Sequence, residues 1–535
     1  MRAPRDPAIS LPEPGADHAW ARGDHARRRE EGWRGGGQPG DGGQGEGGAP
    51  RDEAVELAAA DASSGGAMAR RILGTLAFLG GAAFVYANVD NQDLRDALPL
   101  FTLAIFLQLA PFWVPAKPDP FSPPALSGFF NSIALFAGLA YYVDRQEIWF
   151  ELVPQLSPAG RAELLQKVLA ANVLGTLCYY AAYVALGPRA GKKLGERFRA
   201  RVWESRRVWI ACGVGLAIFV PAYAFFQGRV GTSLTDVQSL AAGKAVWRDD
   251  QSLSWMQRAI VGGLLPPAIY LAFALPRPKL TQLVLVVAST AALVLAVTRL
   301  GQRGFGPYFV LNLLIIAHYM WRRIPASLLM GLALFAIAAT NQLGEWRRGD
   351  MGRLYEVETR TSGIVGTLAA HEQDRQRLAA MATVIHAFPQ RKDYLMGESW
   401  IGLTVAFVPR WLWPAKREFI TWADTGIVYQ LTGAPIPSNF ISTLYANFSW
   451  AGIAVGTALW GAFHRLLYNW LMRDTGERAV VLIYSMTVIY FGPTLLQVAL
   501  AMQFVLPAIA AVLYVAKRRE QEEEHTLLGV AARPA

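Results

Sequence analysis

The sequence predicts an all-α polytopic membrane protein with about twelve transmembrane helices, and three observations carry that expectation. The chain of 535 residues is 53% hydrophobic and only 17% charged, whereas a soluble domain carries roughly 25% charged residues. Its apolar residues come in blocks close to the thickness of a bilayer, roughly 20 residues each. Its positive charges collect in every second connection between those blocks, as the positive-inside rule requires. The net charge of +10 conceals an asymmetry, because residues 1–69 carry −4 and the remainder +14. On a membrane protein that excess belongs to cytoplasmic loops, so no nucleic-acid partner is expected.

Residues 1–69 are low-complexity, with runs such as Gly-Gly-Gly at 35–37, and hold too little apolar material to repay the entropy of ordering. No apolar stretch of about 7–15 residues precedes Met68, so the segment is not a signal peptide. Met68-Ala-Arg-Arg-Ile itself reads as a translation start, which would leave the segment upstream of Met68 untranslated. Residues 70–516 are expected to form the membrane domain. Its spans lie near 72–88, 97–114, 125–143, 167–187, 208–226, 259–275, 280–298, 306–320, 325–340, 450–470, 479–493 and 497–515. With the amino terminus inside, the basic connections at Arg70 and Arg71, 188–207, Arg277 and Lys279, Arg322 and Arg323, and Arg473 and Arg478 are cytoplasmic. The charged tail 517–535 joins them. Segment 188–207 holds eight basic residues and two acids, the composition of a topology anchor that touches anionic lipid. Cys178 and Cys212 each sit within an apolar span, without metal-binding spacing.

Three outer segments remain, 144–166, 227–258 and 341–449. The last mixes 11 Lys+Arg with 10 Asp+Glu and is too long to be structureless, so it should fold as a partly helical periplasmic loop. Its stretch 363–386 has helical apolar spacing, which suits an amphipathic helix lying over a site. Arg299 and Arg303 are the one basic cluster on the outer side.

Several catalytic patterns are absent from the sequence: a His-Glu-x-x-His pair, a Gly-x-Ser-x-Gly elbow, a phosphate-binding Gly-Lys-Ser/Thr loop and a dinucleotide fingerprint. Asp90, Asp93 and Asp96 offer carboxylates after the first span, although a short solvated loop is the plainer reading. No metal or cofactor is expected. The spans lack acids and bases at mid-depth, which argues against ion-coupled transport.

The most specific stretch begins at Tyr394 with Tyr-Leu-Met-Gly-Glu-Ser-Trp. It continues with Val-Pro-Arg-Trp-Leu-Trp-Pro-Ala-Lys at 408–416 and ends in Leu-Tyr-Ala-Asn-Phe-Ser-Trp at 444–450. This resembles the Wzy-type O-antigen polymerases, which join oligosaccharide repeat units. Tyr394, Leu395 and Gly397 match that family's Tyr-Leu-x-Gly turn; Pro409, Arg410, Trp413, Pro414 and Lys416 match its Pro-Arg-x-x-Trp-Pro-x-Lys box. Tyr445, Asn447 and Phe448 match its Tyr-x-Asn-Phe-Gly approach to a late span, and Gly301, Arg303 and Gly304 match an earlier Gly-x-Arg-Gly. Ser449 departs from the usual Gly, and Thr443 stands where a Glu often precedes Leu-Tyr. Arg391 and Gly402 fit an Arg-x10-Gly spacing described for outer loops of such polymerases.

The resemblance implies a GT-C-like glycosyltransferase in the cell inner membrane. It would move a glycan from undecaprenyl diphosphate onto a lipid-linked repeat unit at the periplasmic face, without a metal. A flippase and a chain-length regulator would be its partners. The basic box has physical sense of its own, because a guanidinium offers forked donors to phosphate oxygens and cannot deprotonate. The expected binders of the lipid diphosphate and glycan are Arg303, Arg410, Lys416, Arg391, Arg229, Tyr445 and Asn447, and the candidate bases are His386 and Glu398. Plainer readings stand beside these: interfacial snorkelling for Arg410 and Lys416, a turn anchor for Arg303, a packed helix start for Tyr445 and Asn447. An O-antigen ligase using the same donor, a lipid-linked oligosaccharide flippase, and a metal-dependent transferase using the acids near Asp90 are the alternatives.

Overall fold

A computed structural model describes residues 92–115, 118–144, 156–188, 201–230, 265–299, 305–329, 377–390, 393–398, 439–490 and 495–518, with shorter pieces around 68–83, 190, 260–263 and 331–335. Among them the chain is almost wholly helical. The helices are α1 (Gln92–Leu109), α2 (Pro123–Asp144), α3 (Pro158–Ala185), α4 (Ser205–Val230), α5 (Leu265–Ala274), α6 (Leu280–Arg299), α7 (Phe305–Met320), α8 (Arg377–Ala387), α9 (Phe440–Arg473), α10 (Arg478–Tyr490) and α11 (Leu495–Val515). Strands β1 (Arg201–Trp203) and β2 (Ala516–Arg518) pair antiparallel in a short ribbon.

Five helical stretches are long and apolar enough by themselves to cross a bilayer: Leu94–Phe112, Pro123–Tyr142, Ala159–Ala185, Ser205–Gly228 and Leu280–Val297. The burial pattern is that of a protein solvated by lipid. Only 17% of the apolar window in α4 is buried, and Trp209, Val214, Ile218 and Val220 lie exposed along it. Helix α5, by contrast, is buried on every side from Leu265 to Ala272. A soluble protein would not leave the longer apolar helix outside and bury the shorter one. The chain is an all-α membrane protein.

Local chemistry sets the element ends. Ser157 caps α3 by accepting from the Gly160 N–H at 3.2 Å, and Pro158 follows at the first helical position. Helix α3 therefore starts nine residues before the expected span at 167, so the outer segment 144–166 is shorter than expected. Hydropathy misses those turns because Arg161, Glu163 and Lys167 dilute them. At its other end Gly187 takes a positive φ of 57°, and the freed carbonyls find side-chain donors on α9. Arg465 Nε donates to Gly187 O at 3.2 Å, Asn469 Nδ2 to the same oxygen at 2.8 Å, and Arg473 to Pro188 O and Ala190 O.

The helices gather around two apolar cores. One holds α1, α2, α3, α8 and the start of α9; the other holds α4 to α7 with α10 and α11. Helix α8 departs from expectation. Of the stretch 363–386 expected to form an amphipathic helix over a site, residues 363–376 lie outside the described ones, and in the rest Leu378, Ala380, Met381, Val384 and Ile385 are all buried among α2, α3 and α9. A β-carbon at Gly138 of α2 would come within 2.6 Å of Leu378 Cβ, so part of segment 341–449 is a core element.

Helix α9 is two helices. Phe448 and Ser449 have non-helical dihedrals, and the arms 440–447 and 450–473 fold back on each other. The rings of Phe440 and Trp460 lie 6.1 Å apart, whereas a straight helix would separate those residues by roughly 30 Å. The hairpin is possible because Gly452 and Gly456 face Leu444: a β-carbon at Gly452 would collide with the Leu444 carbonyl oxygen. Overpacking of this kind typically costs about 1–3 kcal/mol. Gly452→Val should therefore lower the thermal midpoint of the purified protein in detergent. Gly213→Val, at a position open to the surroundings on α4, should leave it unchanged.

Candidate functional site

The hairpin has an immediate consequence. Breaking a helix in apolar surroundings leaves its last carbonyls without partners, and each must be satisfied by protein. The turn at 393–398 supplies the donors. Leu395 N–H bonds Ala446 O at 2.6 Å, Met396 N–H bonds Asn447 O at 3.1 Å, and Gly397 N–H bonds Asn447 Oδ1 at 3.0 Å. Asn447 Nδ2 turns back to Thr443 O at 2.6 Å. Met396 and Gly397 both take positive φ, 47° and 96°, which bends the chain tightly enough for three successive amides to reach one helix end.

Aromatic rings lock the junction. Tyr394 stacks on Phe388 at 6.1 Å and meets Tyr445 edge-on at 6.0 Å, and Tyr445 in turn meets Trp450 at 5.6 Å. The Tyr394 hydroxyl donates to Ser449 Oγ at 3.0 Å. Burial first, and the Tyr394 hydroxyl second, hold the Tyr445 phenol above its ordinary range, so it stays protonated.

The structure thus joins two of the sequence-defined motifs, the Tyr394–Gly397 turn and the Tyr445–Phe448 segment, which are about fifty residues apart in the chain. Asn447 is fully buried; its side-chain and backbone oxygens hold the turn while its amide nitrogen turns back onto the arm, and Tyr445 is buried too. Both make contacts within the protein, as a packed helix start would. His386 lies half-buried on the last turn of α8, and Glu398 is exposed at the end of the docked turn. Arg229 falls in the last turn of α4. Arg303, Arg391, Arg410 and Lys416 lie outside the described residues. The excursion 399–438 that carries Arg410 and Lys416 leaves from Glu398 and returns at Asn439, the cap of the short arm, which accepts from Ser442 N–H at 2.8 Å. Both of its ends belong to the same assembly.

Sequence reasoning missed a second polar cluster, at the other end of the bundle. Asp119, in the connection between α1 and α2, is 5% exposed. Its Oδ2 accepts from Tyr319 at 2.6 Å and Tyr468 at 2.8 Å, and its Oδ1 from the Phe121 N–H at 3.0 Å, with His318 Nε2 at 3.5 Å. Tyr484 bonds Phe121 O at 2.7 Å. Further along α9, His464 Nδ1 meets the Tyr179 hydroxyl at 2.5 Å, and the Arg465 guanidinium lies 4.7 Å from the Tyr183 ring. Arg465 is 1% exposed, a buried charge near the end of the expected span 450–470 rather than at its middle. The signal was available, since His464 and Arg465 fall inside an expected span, where an ionisable residue is itself a pointer. Asp119 carried no such signal, because nothing in a short connection announces that three tyrosines from distant helices will enclose it.

Among the described residues no group of three His, Cys, Asp or Glu is placed to hold a metal, and Asp96 is exposed, with its backbone oxygen accepting from Gln166. Hydrogen bonds to a charged group contribute about 1.5–3 kcal/mol each. Tyr319→Phe and Tyr468→Phe should each lower unfolding stability by that order, and the double variant by more than the sum, because the two hydroxyls share one oxygen and each partly compensates for loss of the other. The departure at Ser449 also has a physical meaning. Its φ of 55° and ψ of −150° belong to a region that glycine alone enters freely, at a cost of about 1–3 kcal/mol for other residues. Glycine at this position is what such a reversal would favour. Ser449→Gly should be stable or more stable than the parent in thermal unfolding, and Ser449→Val clearly less stable. Compared with family models, curated proteins and solved structures, the chain matches none of them.

Proposed function

We propose that this protein is a polysaccharide repeat-unit polymerase of the inner membrane, a metal-independent glycosyltransferase of GT-C-like architecture with about twelve spans. The reading rests on the resemblance in the 394–452 region. One observation carries it: the Tyr-Leu-x-Gly turn is hydrogen-bonded onto the helix break that follows Tyr-x-Asn-Phe. Motifs that serve one site need to meet in space, and these two do. The strained Ser449 backbone at the motif's glycine position supports the same reading.

In this proposal the acceptor sugar hydroxyl attacks the anomeric carbon of the donor glycan. The bond from that carbon to the diphosphate oxygen breaks, and undecaprenyl diphosphate leaves. The hydroxyl proton passes to a base, for which His386 and Glu398 are the candidates flanking the docked turn. Arg410, with Arg303 and Lys416, binds the departing diphosphate, and losing one such donor typically costs about 10²–10³ in rate. The segment that bears Arg410 is joined in the chain to Glu398 at one end and to Asn439 at the other, and both of these flank the hairpin assembly.

A lipid-linked oligosaccharide transporter is the second reading, and one specific observation favours it. His464, Arg465 and Asp119 put ionisable groups inside the bundle, where coupled transporters carry their relays. Purified protein in liposomes separates the two, with lipid-linked repeat units supplied on one side. Polymerisation predicts new glycosidic bonds and released lipid diphosphate; transport alone predicts repeat units crossing unchanged. In the same assay Arg410→Lys should be clearly impaired because it keeps the charge and loses the fork, and Arg410→Ala more so. Full turnover in both variants at equal expression would take Arg410 out of the site and return the box to an interfacial anchor.

A further inference from the structure

The end of α7 is held by one imidazole with two different partners. His318 Nδ1 accepts from the Ile324 N–H at 2.9 Å, which leaves the ring proton on Nε2. Nε2 lies 3.5 Å from Asp119 Oδ1, and both side chains are buried. One edge of the ring therefore fastens the connection after α7 to its own helix, and the other faces the carboxylate of the α1–α2 connection. The ring is packed as well, its centre 4.7 Å from that of Phe121 and 4.9 Å from that of Tyr319.

The two contacts respond oppositely to a proton. A second proton can join the ring only at Nδ1, and there it displaces the Ile324 amide, because an N–H cannot donate to an N–H. The same proton gives the Nε2 edge a charge beside the carboxylate, where attraction and a charge-assisted hydrogen bond favour it. The groups around the ring set the balance. Asp119 favours the imidazolium, and Arg323, in the connection itself, opposes it. Tyr319, next on α7, and Tyr468, from α9, both donate to Asp119 Oδ2. From α10, Tyr484 meets Tyr319 edge-on at 5.8 Å, while Arg478 donates to Leu275 O. Of the other helices packed on α7, α5 brings only Tyr270, and the only charged residue of α6 is its last, Arg299.

We propose that His318 is a pH-sensitive latch: neutral, it holds the connection 321–324 closed on α7, and protonated, it releases Ile324 and closes on Asp119. The connection is short and lightly held. The Trp321 and Arg322 N–H groups both reach Ala317 O, at 2.9 and 3.1 Å, and the side chains of Trp321, Arg322 and Arg323 are exposed. Pro325 follows and has no amide proton to donate. Ile324 is thus the residue through which the connection is tied back before the chain becomes helical again at 326. From there the sequence runs through an apolar stretch into segment 341–449, so the latch governs how the chain leaves α7 towards it. The latch acts under either functional reading, because it draws on the Asp119 end alone.

Histidine ordinarily changes charge between about pH 5 and 8, which sets the range of the test. The full chain in phosphatidylcholine nanodiscs is followed by backbone hydrogen exchange in peptides covering 318–326, with rates corrected for the intrinsic pH dependence of exchange. Losing its acceptor should speed exchange at Ile324 by about tenfold as the pH falls. Asp119→Asn removes the charge that favours the imidazolium, so its transition should move to lower pH. In His318→Asn the amide oxygen takes the place of Nδ1 and does not titrate, so Ile324 should stay protected throughout. Where His318→Asn does not assemble, the shift in Asp119→Asn decides alone. Exchange that ignores pH in the parent protein overturns the latch. A transition that persists in His318→Asn overturns it too, and assigns the proton to another group. A transition that Asp119→Asn leaves at the same pH overturns Asp119 as the second partner, and the latch with it. A parallel rise in peptides of α3 would mean that the whole bundle loosens, which also overturns it.

Discussion

A helix broken inside apolar surroundings has carbonyl groups that water cannot satisfy, and that constraint organises one core of this protein. The reversal at Phe448 and Ser449 frees the end of the 440–447 arm. Amides from 395–397 take up its carbonyls, which fixes the turn, stacks Tyr394 between Phe388 and Tyr445, and holds the chain running back to α8. Two glycines make the reversal sterically possible, and the burial of α8 beneath the arm makes it part of the core. Each of these features needs the others: without the turn the arm's carbonyls are orphaned, and without the hairpin the turn has nothing to bind.

The opposite end solves a different problem by the same rule. Buried charge and free carbonyls are tolerated only when donors and acceptors are matched. Asp119 receives two phenols and a backbone amide; the carbonyls after α3 receive Arg465, Asn469 and Arg473. These bonds tie the α1–α2 connection and the end of α3 to α7 and α9, helices from both cores. The two cores are therefore coupled at this end by polar contacts as well as by packing. A buried carboxylate of this kind also makes the packing specific, because Tyr319 and Tyr468 can satisfy it only from the positions they hold.

The two ends differ in what they leave available. The hairpin end holds Asn447 and Tyr445 in internal contacts and leaves Glu398 exposed. The Asp119 end has its carboxyl acceptors occupied by protein donors.

The sequence by itself determined that the chain resides in a membrane, roughly where most of its helices run, and which short motifs stand out. Hydropathy is a local property, so ten of the expected spans overlap described helices in the right order. It did not determine the hairpin, since the arms are joined by Phe448 and Ser449 without a proline, and the glycines that permit the reversal read equally well as helix-packing positions. Nor did it determine the burial of α8, whose alanines and aliphatic residues suit either a surface or a core. The tail expected to begin at 517 proved to start within a strand, because Lys517 and Arg518 pair with a segment more than three hundred residues earlier. The Asp119 cluster and the docking of Tyr394–Gly397 on Asn447 were decided by tertiary structure alone. Their partners come from separate helices, and hydrogen-bond demand at a buried site appears only once the surrounding chain has removed the water.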